Sequence, residues 1–300
     1  MGYYAKKLDH LFLRLLYLLP KHLISRITGW FGRIPLPFPL NLILVRAYAA
    51  LYHVNLSEAE LPPSQYHTLN AFFVRKLKPS VRPIDPDPKH ILSPVDGTVI
   101  RSGPVSNGTL LQAKAWTYTL RDLLGGPERA ADFLGGSSVT LYLSPSDYHR
   151  IHVPADAEAE ALQYIPGRLF PVNRYSLDRI KNLFVINERL VVHMKTGLGQ
   201  MAMVMVGAVN VGKIRITFDE IRNQVFHKGP FLRRYRPAIT LRRGEEMGRF
   251  ELGSTVILLF EKDRVELTVQ EGQHVRVGEP IGIIACYKQL SSCHKVTKKT

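Results

Sequence analysis

The sequence predicts an α+β fold in which a mainly antiparallel β domain with barrel-sandwich-like elements follows a set of N-terminal amphipathic helices. Three observations carry that reading. Near the N-terminus, Leu8, Leu11, Phe12, Leu15, Leu16 and Leu19 recur at helical spacing with Lys7, Arg14 and Lys21 between them. From about His90 onward, short β-branched runs are punctuated by Gly and Pro. Finally, Val265 to Ala285 reads VELTVQEGQHVRVGEPIGIIA, with paired turns at Glu271-Gly272 and Val277-Gly278-Glu279-Pro280, the turn grammar of compact barrel-sandwich domains.

The helical region should run from residue 1 to 60. Pro20 breaks the first helix, a second covers His22 to Phe31, and an apolar stretch, Phe38 to Val45, follows the prolines at 35, 37 and 39. Six Lys or Arg stand against one acid, Asp9, before Pro35. Charges at Arg14, Lys21, Arg26, Arg33 and Arg46 interrupt every apolar stretch before it reaches the ~18 residues that span a bilayer. No small-residue cleavage site follows a short apolar core, which argues against a secretory signal. Two readings stand: a helix lying in the membrane interface with its cations on anionic head groups, or a helix packed on the protein's own core.

In the body, residues 61 to 300, helical pieces are expected at Ser64 to Arg75, Leu120 to Leu124 and Pro127 to Leu134. Strands are expected at Thr98 to Ile100, Val139 to Leu143, Leu190 to Met194, Met201 to Val209, Lys213 to Phe218, Thr255 to Phe260 and Arg264 to Val269. The hairpin tips hold Gln273 and Glu279, not the lysine a lipoyl or biotinyl carrier presents. The net charge of +15 predicts attraction to phosphate, of lipid or of nucleic acid. No interleaved aromatic stack or recognition-helix pattern supports nucleic acid. Only Cys286 and Cys293 occur, too few for a disulfide framework or a four-Cys zinc site. No HExxH supplies a metal site either.

Three motifs could carry chemistry. In SPVDGTV (93 to 99), Asp96 precedes Gly97 in a favoured turn pair, so by itself it reads as structural. In YHRIHVP (148 to 154), His149 and His152 offer groups that titrate near neutrality, for acid/base work or as two satisfied surface histidines. In GEEMGRFELGSTVILLFE (244 to 261), Gly253 and Ser254 stand directly before an apolar strand. Gly253 has no Cβ to block approach to its carbonyl carbon, and the Ser254 hydroxyl lies one residue on, so the hydroxyl could attack that carbonyl. A Gly-Ser turn entering a strand is the plainer alternative.

These stretches, with VGAVNVGKI (206 to 214), stand in the order in which they occur in the phosphatidylserine decarboxylase proenzymes of the bacterial and mitochondrial type, which carry a Leu-Gly-Ser-Thr self-cleavage motif, and the sequence resembles that family. The resemblance implies self-cleavage at Gly253-Ser254, through an ester, β-elimination to dehydroalanine and hydrolysis with loss of ammonia. Residues 1 to 253 would become a β chain and 254 to 300 an α chain, with Ser254 converted to a covalent pyruvoyl group, the only cofactor. It implies a self-cleavage triad of Asp96, His152 and Ser254 with the logic of a serine-protease triad, and His149 as proton donor in decarboxylation. The implied reaction turns phosphatidylserine into phosphatidylethanolamine and CO₂ through a Schiff base on the pyruvoyl carbonyl, with no metal. Phosphatidylserine in an anionic membrane surface is then the partner, a homodimer is possible, and the place is the cytoplasmic face of the inner membrane, held peripherally. Some of the cations in Ile221 to Arg243 (Arg222, Lys228, Arg233, Arg234, Arg236, Arg242 and Arg243) would face lipid phosphate, or form a solvated basic loop. A pyruvoyl decarboxylase of a soluble amino acid and a non-enzymatic membrane adaptor are the alternatives.

Overall fold

The structure, a computed structural model, describes residues 19–113, 116–209, 214–219, 229–251 and 254–285. The helix expected from Leu8, residues 210–213 of the VGAVNVGKI motif and both cysteines lie outside the described residues. Two helices open the described chain, α1 (Lys21–Phe31) and α2 (Leu40–Tyr52). Pro20 and Pro39 occupy their N-cap positions, where a missing N–H costs nothing. Their burial is inverted from what an ordinary surface helix shows. α1 buries Lys21 and Ser25 while Leu23, Ile27, Trp30 and Phe31 stand exposed; α2 exposes Leu40, Ile43 and Leu51. α2 is tied down on its other side by Val45 and Ala49, packed on Tyr66 and Phe72, and by the Asn41 amide, which donates to the Ser64 carbonyl at 2.8 Å. Among the described residues no helix is long and apolar enough to cross a membrane.

The expected helix at Ser64 to Arg75 is shorter, α3 (Leu69–Phe73), preceded by a single 3₁₀ turn at Pro63–Gln65. Thr68 takes an extended conformation and caps α3 by accepting the Ala71 N–H, so the two cannot merge. The strands that follow are β1 (His90–Leu92), β2 (Gly97–Pro104), β3 (Thr109–Ala113) and β4 (Trp116–Thr119). Then come α4 (Leu120–Leu124) and α5 (Pro127–Ala131), close to expectation. β5 (Ser137–Leu143), β6 (Arg150–His152) and β7 (Ala157–Ile165) lead to two single-turn helices, α6 (Arg174–Leu177) and α7 (Leu183–Ile186). The remainder is β8 (Arg189–Thr196), β9 (Gly199–Val206), β10 (Ile214–Ile216), β11 (Phe231–Leu241), β12 (Glu246–Phe250), β13 (Ser254–Phe260), β14 (Val265–Leu267), β15 (His274–Val275) and β16 (Pro280–Ile284).

Eight of these strands form one antiparallel sheet in the order β11-β7-β8-β9-β13-β5-β2-β15. The fold is thus mainly antiparallel β with few helices, as the run lengths predict. β13 (STVILLF) is buried at every position, and β8 and β9 nearly so, so the middle of the sheet is covered on both faces. Continuous apolar runs are the signature of such strands. A second sheet of three strands, β10-β12-β6, and a third, β1-β16-β14, pack against it. Gly97 is required where β2 meets β5, since a Cβ there would lie 2.5 Å from the Tyr142 carbonyl oxygen.

β8 carries a buried polar group unrelated to the motifs. His193 is 2% exposed, with Nε2 3.0 Å from the Gln163 side-chain oxygen, and burial followed by the charges of Arg129 and Arg234 lowers its pKa to about 3. Below pH ~6.5 the unfolded chain protonates this imidazole while the folded chain refuses the proton, so stability falls with pH across that window. The melting temperature should therefore drop between pH 7.5 and pH 5, and His193→Gln should shrink the drop, as calorimetry at the two values will show. An equal drop in the variant would contradict this.

Candidate active site

Ser254 is the first residue of β13 and pairs with Leu143, the last residue of β5. From Leu143 the chain turns through Ser144, Pro145, Ser146 and Asp147, and reaches Tyr148 and His149. That turn is fixed by the Asp147 carboxylate, which accepts the Ser144 N–H at 2.7 Å and the Ser144 hydroxyl at 2.8 Å. On the other side of Gly253-Ser254, the Phe250 N–H donates to the His149 carbonyl at 3.0 Å. His149 is therefore bracketed by the residues that lead into and out of the 251–254 segment. Nothing is described at Leu252 and Gly253.

Three polar atoms at this corner have no partner among the described residues: the hydroxyls of Ser254 and its neighbour Thr255, on residues with no exposure, and His149 Nε2. His149 Nδ1 lies 2.8 Å from the Asp147 carbonyl, which can only accept, so Nδ1 carries the proton and Nε2 presents a lone pair. The ring sits 4.1 Å from that of Phe73. Burial, set against the Asp147 carbonyl and aided by the Arg75 charge, lowers the His149 pKa to about 4. Leaving a buried hydroxyl unpaired costs about 1–3 kcal/mol, and the fold carries that cost at the residue the sequence singles out.

His152 stands three residues on, at the end of β6. Its N–H donates to the Pro94 carbonyl at 2.8 Å, which joins it to the SPVDGTV turn. Its Nδ1 lies 2.9 Å from the Gly244 carbonyl, and Nε2 is 3.4 Å from the Tyr148 hydroxyl, a long contact. Burial pushes the His152 pKa down, against the Gly244 carbonyl and the charges of Glu246 and Asp96, and Arg150 pushes the same way as burial. Both imidazoles are thus neutral at pH 7 with Nε2 as the basic atom.

Asp96 does not hydrogen-bond His152. Its buried carboxylate is held by Arg82, whose Nε lies 3.0 Å from both oxygens and whose Nη2 lies 2.6 Å from Oδ2, and it accepts the Val277 N–H at 2.8 Å. Arg82 also reaches Glu58 at 3.0 Å. The structure therefore brings His152 to the Asp96 turn through backbone, and brings His149 to the Ser254 corner, with no hydrogen bond linking the three triad residues. Arg82, Tyr148 and the Gly244 carbonyl are partners that sequence reasoning missed. Tyr148 lay inside a recognised motif, whereas Arg82 sits in a Pro-rich connector with nothing to mark it. Of the basic stretch, Arg243 donates to the Asp85 and Asp87 carbonyls at 2.7 and 2.9 Å and Arg233 pairs with Asp219, so both serve the fold. Among the described residues no cluster of three or more His, Cys, Asp or Glu is placed to hold a metal ion.

Comparison with known proteins agrees with the motifs. The family model described as phosphatidylserine decarboxylase matches residues 69–283. A phosphatidylserine decarboxylase proenzyme of Myxococcus xanthus is 44% identical over 278 residues, covering 92% of this chain and 99% of that one. The Aliivibrio fischeri proenzyme is 41% identical over 286 residues, with 92% and 99% covered, and that of Brevibacillus brevis is 40% identical over 271 residues, with 89% and 95% covered. A match of this extent shows that the protein belongs to the phosphatidylserine decarboxylase family.

Proposed function

We propose that this protein decarboxylates phosphatidylserine to phosphatidylethanolamine, using a pyruvoyl group that it makes from its own Ser254. The observation that carries the reading is the wholly buried Ser254 hydroxyl at the start of β13, unpartnered among the described residues, in a chain of this family. Most buried hydroxyls are hydrogen-bonded; Ser254 shares the exception with Thr255, Tyr66 and Tyr118, and of these it is the one that forms the Gly-Ser pair of the family's motif. The residues present thus fit the group. It supplies an electrophilic carbonyl for the substrate amine and an adjoining amide that draws off the electron pair released with CO₂.

In self-cleavage at Gly253-Ser254, His152 takes the hydroxyl proton on Nε2 after Tyr148 gives up its long contact there. Asp96 supports that base through the turn that binds the His152 N–H and through its charge, which favours the imidazolium. Processing yields a β chain of residues 1–253 and an α chain of 254–300. In turnover His149 takes up a proton on Nε2 and delivers it to the substrate carbon once CO₂ has left, shielded from water by Phe73. With its pKa near 4, the ring is empty of that proton at neutral pH, so it must be loaded within the catalytic cycle.

The exposed apolar faces of α1 and α2 support a peripheral place on the membrane, at its cytoplasmic face, with residues 1–60 forming the membrane-associating region and 61–300 the decarboxylase domain. Trp30, Phe31, Phe38 and Leu51 are each at least 60% exposed, an arrangement suited to the acyl boundary and costly in water.

The direct test is CO₂ release from phosphatidylserine vesicles. It should be seen with wild type and not with Ser254→Ala, and release from free serine or aspartate instead would favour a soluble amino-acid decarboxylase. Role assignment follows from gels and rates together. Asp96→Asn and His152→Ala should accumulate uncut chain, while His149→Ala should cleave yet turn over about a hundredfold more slowly. Normal cleavage in the first two would refute their roles. Replacing Trp30, Phe31 and Phe38 together by Ser should leave cleavage intact but release the protein from vesicles in flotation assays, whereas 1 M salt, which shortens the Debye length to about 3 Å, should release wild type only in part.

A further inference from the structure

The three-stranded sheet β10-β12-β6 carries a row of arginines. Arg215 of β10 pairs in register with Arg249 of β12, and Arg249 pairs with Arg150 of β6. Directly opposed residues share a sheet face and lie close together, and like charges there oppose pairing. Gly248 permits the approach, since a Cβ at that position would meet the Arg215 carbonyl oxygen at 2.3 Å. The alternate positions, Ile151, Ile214, Ile216 and Phe250, turn to the core, so the arginines occupy the other face. His152, two residues from Arg150, is on that face as well.

The outer two arginines are neutralised. Arg150 Nη1 binds both oxygens of Glu246, at 2.8 and 2.6 Å, and Arg215 Nε binds Glu251 at 2.6 Å. Glu251 is buried and also takes Arg33, which follows the exposed Trp30 and Phe31 of α1. Arg249 has no hydrogen bond or ion pair of its own among the described residues, and its Nε is buried without a partner. Four guanidinium groups thus meet two carboxylates. The uncompensated one lies at the centre, five residues before Ser254 on the strand that leads to it.

We propose that Arg249, flanked by Arg150 and Arg215, is the binding site for the phosphodiester of the phospholipid head group. This rests on the function proposed above. A planar guanidinium with a buried free N–H and like neighbours suits a phosphate oxygen pair. The substrate carboxylate is the poorer occupant, because a cation holding it would favour the charged reactant that decarboxylation must discharge. The phosphate keeps its charge throughout, so the interaction is equal in ground and transition states and should act on KM. Arg33, paired with Glu251, links the row to the exposed apolar face of α1.

The test compares wild type, Arg249→Gln and, as a control for loss of one distant charge, Lys195→Gln. Binding of glycerophosphoglycerol, a diester with neither amine nor carboxylate, is read by saturation-transfer NMR, alongside KM and kcat on phosphatidylserine in mixed micelles. Arg249→Gln should weaken diester binding and raise KM by about tenfold, with kcat changed much less; the control should match wild type. Unaltered diester binding in Arg249→Gln would overturn the proposal, as would inorganic phosphate competing as strongly as the diester, which would mark a free-phosphate site. The binding measurement needs no turnover, so it remains decisive even if phosphatidylserine proves not to be the substrate.

Discussion

Everything at the candidate site hangs on the two-sided pairing of one strand. β13 is hydrogen-bonded to β5 on one edge and β9 on the other, with every side chain buried, so its register cannot slip without turning apolar residues toward the opposite layer. That register sets Ser254 against Leu143 and hence beside the tight turn that delivers His149. A flexible loop could present the same serine, but it would allow water to the hydroxyl and freedom to the backbone. The sheet denies both, and leaves the Ser254 hydroxyl without a partner among the described residues.

Burial then sets the proton chemistry. Both imidazoles donate Nδ1–H to a backbone carbonyl, of Asp147 for His149 and of Gly244 for His152, which fixes the tautomer and leaves Nε2 basic. Desolvation keeps both neutral, and the nearby arginines press the same way. Asp96, clamped by Arg82, acts on this system through the turn it organises and through its field. The arrangement departs from the serine-protease pattern, where the carboxylate accepts the imidazole N–H itself.

The fold class was legible because its signals are local: β-branched runs for β5, β8, β9 and β13, proline stops before α1 and α2, and Asp-Gly before β2. Ser254, His149, His152 and Asp96 stood out only as members of motifs, since a Gly-Ser pair or a lone histidine has plainer explanations. Other features were not legible. β11 reads FLRRYRPAITL, a basic stretch with a proline, and becomes a strand because it lies at the sheet edge, where Arg side chains reach water and Pro237 needs no ladder partner. β7 begins AEAEAL, with weak strand propensity, and is held by strands on both sides. The arginine row required strand register, which no pattern in the sequence supplies. Arg82 reaches Asp96, and Glu58 reaches Arg82, only through the tertiary fold.

Self-processing at Ser254 is the claim on which the chemistry depends, and intact-mass spectrometry of the purified protein addresses it most directly. Two fragments, residues 1–253 and 254–300, should appear without any protease, and the second should be lighter by one ammonia than a fragment beginning with serine. An active preparation containing only the intact 300-residue chain would contradict it.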